Sequence, residues 1–167
     1  MAKHSPAQFA AALPSHYAAI AEIYNQYILR GNATMDETLK TAADIGGWVE
    51  KFHAREALYV QTLADQVIGW GIIKRYSDRE GYRFAAETAV YLHADHLGQG
   101  HGSTLKRFLI EESRRLNYHH LVAKIFADNQ VSIDYNLKLG YTIVGRQKEI
   151  GYKNGRWMDV VILQLIL

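Results

Sequence analysis

Three glycines alternate in the run Leu97-Gly98-Gln99-Gly100-His101-Gly102-Ser103-Thr104-Leu105, between an apolar run ending at Leu92 and a helical pattern opening near Ser103. Glycine turns the backbone through conformations that other residues avoid, and it lets a ligand come close to the amides. The unpaired N–H groups of a helix's first turn point into such a loop and carry partial positive charge. A strand, a glycine turn and a helix N-terminus together make a cradle for phosphate or pyrophosphate. Two other phosphate loops are excluded by spacing. A P-loop needs Gly-Lys-Ser/Thr where this chain has His101-Gly102-Ser103, and a dinucleotide fingerprint needs a third glycine one residue later.

Other chemistry-bearing residues flank the cradle. Glu87 lies among small and apolar residues on the run that leads into it. A carboxylate there can take a proton from a reacting group, and burial would tune it for that role; the same residue also fits a strand glutamate facing solvent. Arg79, Tyr82 and Arg83 form a cationic, aromatic cluster just upstream. On a strand, Arg83, Ala85 and Glu87 would share one face, and an arginine can hold a carboxylate bidentately. The neighbouring Lys74, Arg75, Asp78 and Glu80 fit a solvated loop equally well. Of the eight histidines, His119 and His120 point to opposite faces of a strand, and neither has a carboxylate partner at metal spacing. His93, His96 and His101 cluster near the loop, where phosphate contact or plain surface fits better, so no metal is expected.

Regular elements must hold these groups. Residues 16–30 carry Ile20, Ile23, Tyr24, Tyr27 and Ile28 at helical spacing, closed by Gly31. Residues 44–57 make a second, weaker helix. Residues 58–63 and 67–74 read as a hairpin about Ala64-Asp65-Gln66. Residues 82–93 are a long strand running into the glycine loop, 103–116 a helix, 119–126 a strand, and 129–139 a helix ended by Gly140. Residues 141–152 and 157–167 are strands joined by Lys153-Asn154-Gly155-Arg156, whose Asn-Gly pair is a hairpin signal. Two helices, a β-meander and a β-α-β-α-β-β sequence predict a mixed sheet with helices on both faces.

At 167 residues and 49% hydrophobic, the chain is expected to fold as a single domain over 1–167. Cysteine is absent, so there is no disulfide framework and no thiolate nucleophile, which fits a reducing compartment. A net charge of +2 is too mild to imply a nucleic-acid partner. No signal peptide is expected: the early apolar run Phe9-Ala10-Ala11-Ala12-Leu13 is short and broken by Pro14, and the first residues read as disordered. The apolar residues 160–167 are too few to span a bilayer and read as a buried strand.

Four segments bring these observations together. They are Ile23-Tyr24-Asn25 with Thr34-Met35-Asp36; the run from Asp78 to Tyr91; Gly98-x-Gly100-x-Gly102-Ser103-Thr104-Leu105 with Asn129 and Leu139-Gly140-Tyr141; and Gly151-Tyr152-Lys153-Asn154-Gly155-Arg156-Trp157-x-Asp159-Val160. In these segments the chain resembles the GCN5-related N-acetyltransferase (GNAT) superfamily over essentially its whole length, and within it the phosphinothricin and methionine-sulfoximine acetyltransferase branch. The resemblance implies an α/β GNAT fold, a mixed, mostly antiparallel twisted sheet of about six to seven strands flanked by about four helices. It implies transfer of an acetyl group from acetyl-CoA to the α-amino group of a small amino acid or analogue, in a cytoplasmic homodimer. The alternatives are acetylation of peptide, protein or antibiotic amines, and a non-catalytic acyl-CoA-binding module.

The resemblance also implies residue roles. Glu87 is the catalytic base. The CoA pyrophosphate lies on the backbone of Gly98, Gln99, Gly100, His101, Gly102 and Ser103. The strand amides of Val90, Tyr91 and Leu92 hold the cofactor and the oxyanion. Asn129 bonds the pantetheine arm or phosphate region. Met35, Arg79 and Tyr82 bind the substrate, with Met35 replacing a phenylalanine common in the branch. Lys153, Trp157 and Asp159 mark the branch without an assigned role. The pattern departs in two places. Leu97 and Gln99 replace polar and basic residues, so the loop must rely on its amides, with Lys106 or Arg107 to compensate. Asn136 stands where the branch places a Tyr or His facing the thioester. An amide hydrogen-bonds sulfur but is no acid, although a thiol pKa of about 8.5 makes thiolate a fair leaving group. Tyr135 is about 100° away round the helix and is expected to face elsewhere.

Overall fold

The computed structural model describes residues 6–167. Helix α1 (Tyr17–Arg30) forms because Ile20, Ile23, Tyr24 and Ile28 recur on one face, and all four are buried. It ends where Gly31 turns left-handed at φ 78° and returns its N–H to the Tyr27 carbonyl at 2.9 Å. Helix α2 (Ala42–Glu50) starts two residues earlier than its apolar spacing suggests. The Thr41 hydroxyl accepts from the Asp44 N–H at 3.3 Å, and the Asp44 carboxylate accepts from the Thr41 N–H at 2.7 Å. This reciprocal cap, rather than the apolar pattern, fixes the start. The helix stops short of residue 57 because a turn takes over, in which the Glu56 carboxylate accepts from the His53 N–H at 2.8 Å.

Strands β2 (Ala57–Leu63) and β3 (Gln66–Arg75) form the expected hairpin, turning through Ala64 and Asp65, both at positive φ. Strand β4 (Ala85–Leu92) is shorter than expected, because Glu80–Tyr82 folds into a 3₁₀ turn before it. Helix α3 (His101–Arg115), strand β5 (His120–Phe126), helix α4 (Gln130–Lys138) and strands β6 (Thr142–Lys153) and β7 (Arg156–Ile166) lie within two residues of their expected bounds. The expected disorder at the start falls partly on residues 1–5, outside the described residues. Beyond them it is overturned: β1 (Gln8–Ala11) pairs with the edge of β2, and the Phe9 ring stacks on Phe108 with centroids 4.6 Å apart. Four residues are too few for a periodic signal, so the partner strand decides.

The seven strands form one sheet in the order β1-β2-β3-β4-β5-β7-β6, mixed as expected, with β4–β5 its one parallel pair among the described residues. Alternate residues of the same strands serve opposite faces. Leu58, Val60 and Trp70 pack under α1 and α2, while Tyr59, Ile73 and Leu121 pack under α3 and α4. Among the described residues, no helix is long and apolar enough to cross a membrane.

The parallel pair positions the site. Its register runs Ala85↔His120, Ala86↔Leu121, Glu87↔Val122 and then stops. Beyond it, β4 follows β3 as far as Gly69↔Leu92, while β5 follows β7 as far as Phe126↔Val160. The two strands therefore part, and the sheet opens.

Candidate active site

A cleft of about 410 Å³ occupies this opening. Val90, Tyr91, Leu92, Gly98, Gly102, Asn129 and Asn136 line it, together with Leu97, Lys106, Ser132 and Tyr135. Gln99, Gly100, His101 and Ser103 do not line it; they form the loop and first helical turn beside Gly98 and Gly102. Gly98 (φ 72°) and Gly100 (φ 82°) turn the chain left-handed. No side chain of the described residues caps α3, whose first internal bond runs from the Thr104 N–H to the Gly100 carbonyl at 3.2 Å. The amides of His101, Gly102 and Ser103 thus have no acceptor within the helix, which fits a pyrophosphate. The Gln99 side chain turns away, its Nε2 donating to the Asp95 carbonyl at 3.2 Å.

The three strand amides are not equivalent. The His93 N–H bonds the Ile68 carbonyl at 2.8 Å, and the antiparallel alternation that follows puts the Tyr91 N–H into the β3 ladder. The Leu92 N–H donates to the Tyr27 hydroxyl at 3.1 Å, and that hydroxyl donates to the Leu92 carbonyl at 2.9 Å. Of the three, only the Val90 N–H turns toward the cleft without a strand or side-chain partner among the described residues, so the expected trio of donors reduces to one. Tyr91 contributes its ring, stacked on Trp70 at 4.5 Å, and burial raises its hydroxyl pKa well above the ordinary tyrosine value.

Helix α4 supplies the far wall. Asn129 caps it, its Oδ1 accepting from the Ser132 N–H at 3.3 Å. Asn136 is buried; its Nδ2 donates to the Ser132 carbonyl at 2.8 Å, and its Oδ1 has no partner among the described residues. Tyr135 does not face elsewhere as expected. It lines the same cleft, its hydroxyl 3.3 Å from Ser132 Oγ, because a long helical side chain leans over the turn that precedes it. Burial raises the Tyr135 pKa, keeping the phenol protonated. Lys106 is not near the glycine loop. It is buried beside Thr88, at the inner end of the cleft.

Glu87 lies on the other face of β4 and lines two further clefts. One, of about 1180 Å³, holds Met35 and Tyr82; the other, of about 880 Å³, holds Arg79. The first shares Ala33, Tyr91, Lys124 and Phe126 with the cleft between β4 and β5, so the two spaces meet beside Glu87. The expected burial of Glu87 is not found. Its side chain is 37% exposed, and Lys124 Nζ lies 2.9 Å from its carboxylate. The structure thus brings Met35, Tyr82 and Glu87 to one cleft but turns Arg79 into the other. Arg83 reaches neither, because residues 80–82 form a turn and strand alternation does not extend to it; its guanidinium stacks over Phe84 at 4.7 Å.

Lys124 carried a legible signal as the one charge in an apolar run, but only the parallel register sets it opposite Glu87. A second group missed in the sequence is the anchor of the Met35 loop. The Tyr24 hydroxyl lies 2.6 Å from Thr34 Oγ1 and donates to Asp36 at 2.7 Å. Lys153 Nζ donates to the carbonyls of Thr34 and Asp36, both at 2.7 Å. The first and fourth sequence segments therefore meet, and the branch marker Lys153 acquires a task.

Comparison with known proteins agrees with this geometry. Residues 11–162 match the acetyltransferase (GNAT) domain. The chain is 34% identical over 154 residues to the L-methionine sulfoximine/L-methionine sulfone acetyltransferase of Salmonella typhimurium, covering 90% of this chain and 88% of the relative. An acetyltransferase structure from Salmonella typhimurium with its cofactor acetyl-CoA superposes with a TM-score of 0.92 at 31% identity, covering 98% of this chain and 95% of the other. A phosphinothricin acetyltransferase from Sinorhizobium meliloti, in complex with acetyl-CoA, gives a TM-score of 0.91 at 28% identity, covering 96% and 88%.

Proposed function

The chain belongs to the GNAT acetyltransferase family, and from that premise we propose that it moves the acetyl group of acetyl-CoA to the α-amino group of a small free amino acid or analogue of the phosphinothricin, methionine sulfoximine or methionine sulfone type. The observation that carries this reading is the junction of the two clefts beside Glu87: one side ends at the unpaired amides of α3, and the other holds Met35 and Tyr82.

The geometry supports the following residue roles. The amides of His101, Gly102 and Ser103, with the turn at Gly98 and Gly100, hold the pyrophosphate; Asn129 and Asn136 offer Nδ2 and the unpartnered Oδ1 to the pantetheine arm. An α-ammonium group has a pKa of roughly 8 and must lose its proton before it can attack. Glu87 takes that proton, directly or through a water. The Val90 N–H faces the developing oxyanion. Tyr82 and Met35 pack the substrate side chain, and Arg79 meets its carboxylate from the adjoining cleft. The protein acts as a single domain over 1–167, in the cytoplasm, as a homodimer. The exposed Ile143, Val144, Ile150, Tyr152 and Trp157 on β6 and its hairpin support the dimer.

The test is release of free thiol from acetyl-CoA in the presence of methionine sulfone, methionine sulfoximine, phosphinothricin, the natural amino acids and short peptides. Turnover confined to free amino acids or these analogues is expected. Turnover with peptides alone would replace this substrate class, and no thiol release with any amine would replace the enzymatic reading.

A further inference from the structure

Two lysines are buried among the described residues. Lys153 ties down the Met35 loop. Lys106 has no task in the roles above. It lies on the buried side of α3 with Leu105, Leu109 and Ile110, where an apolar residue would satisfy packing. It is 2% exposed, and its ammonium donates to Thr88 Oγ1 at 2.7 Å and to the Thr88 carbonyl at 3.3 Å, with the Tyr141 ring centroid 5.0 Å away. The carbonyl needs a donor because β4 and β5 have just parted. A neutral side chain could supply one without the cost of burying a charge. No carboxylate among the described residues pairs directly with it: Glu87, the preceding residue, faces the opposite side of β4, pairs with Lys124 and acts on Lys106 only at a distance.

The place of Lys106 along the cleft indicates what the charge meets. The glycine-loop end is at Leu92, whose side chain packs against Gly102. Thr88 is four residues back along β4, roughly 13 Å at strand rise, where the opening begins and next to Glu87. With pyrophosphate at one end and the base at the other, the thioester lies at the Thr88 end. Asn136, which lines the same cleft, is no acid.

We propose that Lys106, acting through the Thr88 hydroxyl, stabilises and protonates the sulfur that leaves acetyl-CoA, the task Asn136 cannot perform. This rests on the acetyl-CoA reading of the cleft. Attack of the amine nitrogen on the acetyl carbon breaks the carbon–sulfur bond and leaves its electron pair on sulfur. The Thr88 hydroxyl gives its proton to that sulfur and takes one from the Lys106 ammonium. Lys106 is left as a neutral amine and regains a proton from solvent once the thiol departs. Burial brings the Lys106 pKa down to about 7, and the Glu87 charge opposes the fall, so the group exchanges a proton readily near neutrality. The other titratable groups about the cleft are Tyr91 from β4, Lys124 from β5, Tyr135 from α4, Tyr27 and Arg30 from α1, and Tyr141, whose hydroxyl lies 3.3 Å from Thr88 Oγ1.

The test separates a chemical from a packing role by binding rather than turnover. CoA and desulfo-CoA, which lacks the sulfur, are titrated calorimetrically into the wild type, Lys106→Met and Thr88→Val. The wild type is expected to prefer CoA about tenfold, the scale of one charge-assisted contact, and both substitutions to abolish most of that preference. In parallel, ultraviolet absorbance should show the thiolate of bound CoA forming at lower pH in the wild type than in either variant. Should Lys106→Met not fold, Thr88→Val alone gives the answer. An equal CoA preference in all proteins, or an equal loss of affinity for both ligands, would overturn the proposal. Failure of the wild type to bind either ligand would overturn it by removing the acetyl-CoA reading beneath it.

Discussion

Lys124 Nζ lies 2.9 Å from the Glu87 carboxylate, on the strand that parallels β4 only as far as Glu87 itself. The pair stands where the sheet opens, so a proton acceptor and a cation face the meeting of two clefts. Glu87→Gln is expected to lower turnover by about two to four orders of magnitude, the usual worth of a positioned base, and to leave equilibrium acetyl-CoA affinity nearly unchanged. Stopped-flow turnover together with calorimetry measures both, and undiminished turnover would remove Glu87 as base.

Lys153 donates to two carbonyls of the loop that carries Met35. Lys153→Met leaves both acceptors without that donor. The expected cost is about 1–3 kcal/mol in urea denaturation, with a raised KM for the amino substrate and an unchanged KM for acetyl-CoA. A rise in both KM values would indicate general loosening instead.

Gly100 and Gly102 are expected to separate folding from binding. Gly100 is at φ 82°, so Gly100→Ala should cost about 1–2 kcal/mol through the backbone alone, since no atom stands within 4 Å of its added Cβ. Gly102 is helical, and its Cβ would meet Leu92 Cδ1 at an ordinary 3.5 Å. Gly102→Ala should therefore hold or raise the Tm, while weakening acetyl-CoA binding if the pyrophosphate lies on that amide. Tighter binding in Gly102→Ala would place the anion elsewhere.

A Cβ at Gly151 would collide with the end of the Met35 side chain, a flexible group that can yield. Gly151→Ala should push Met35 into the cleft it lines and shift preference toward smaller amino acids, with stability little changed. Ratios of kcat/KM across a side-chain series test this; an unaltered ratio would remove Met35 from the pocket's specificity.

Asp159 accepts from the Glu149 N–H at 2.8 Å and pairs with Arg146, and these hold its pKa below the usual carboxylate value, the backbone bond contributing most. A depressed carboxylate stabilises the fold above its unfolded pKa, about 4, and the gain is lost as pH falls through the lower native value. Acid denaturation below about pH 4 should therefore be steeper in the wild type than in Asp159→Asn, by circular dichroism. Identical profiles would show that the bond does not survive in solution.

Much of this was legible in the residues because local rules act over a few positions. The glycine loop, the helix after it and the Asn154-Gly155 hairpin each follow from backbone geometry that neighbouring residues set. The short strand β1 was not legible, since it exists by pairing with β2. The start of α2 departs from the apolar pattern because a capping bond outweighs apolar spacing. Alternation puts Arg83 on the face of Glu87, but the turn at residues 80–82 interrupts it and β4 starts only at Ala85.

The sequence by itself determined the order of elements, the anion-binding turn and the segments that mark the family, all properties of contiguous residues. Tertiary structure alone decided which distant residues meet. The parallel register of β4 and β5, which are separated in sequence by α3, sets Lys124 against Glu87, and the parting of those strands frees the Thr88 carbonyl that Lys106 reaches. Strand register depends on the packing of both sheet faces at once, and no local window of sequence contains that information.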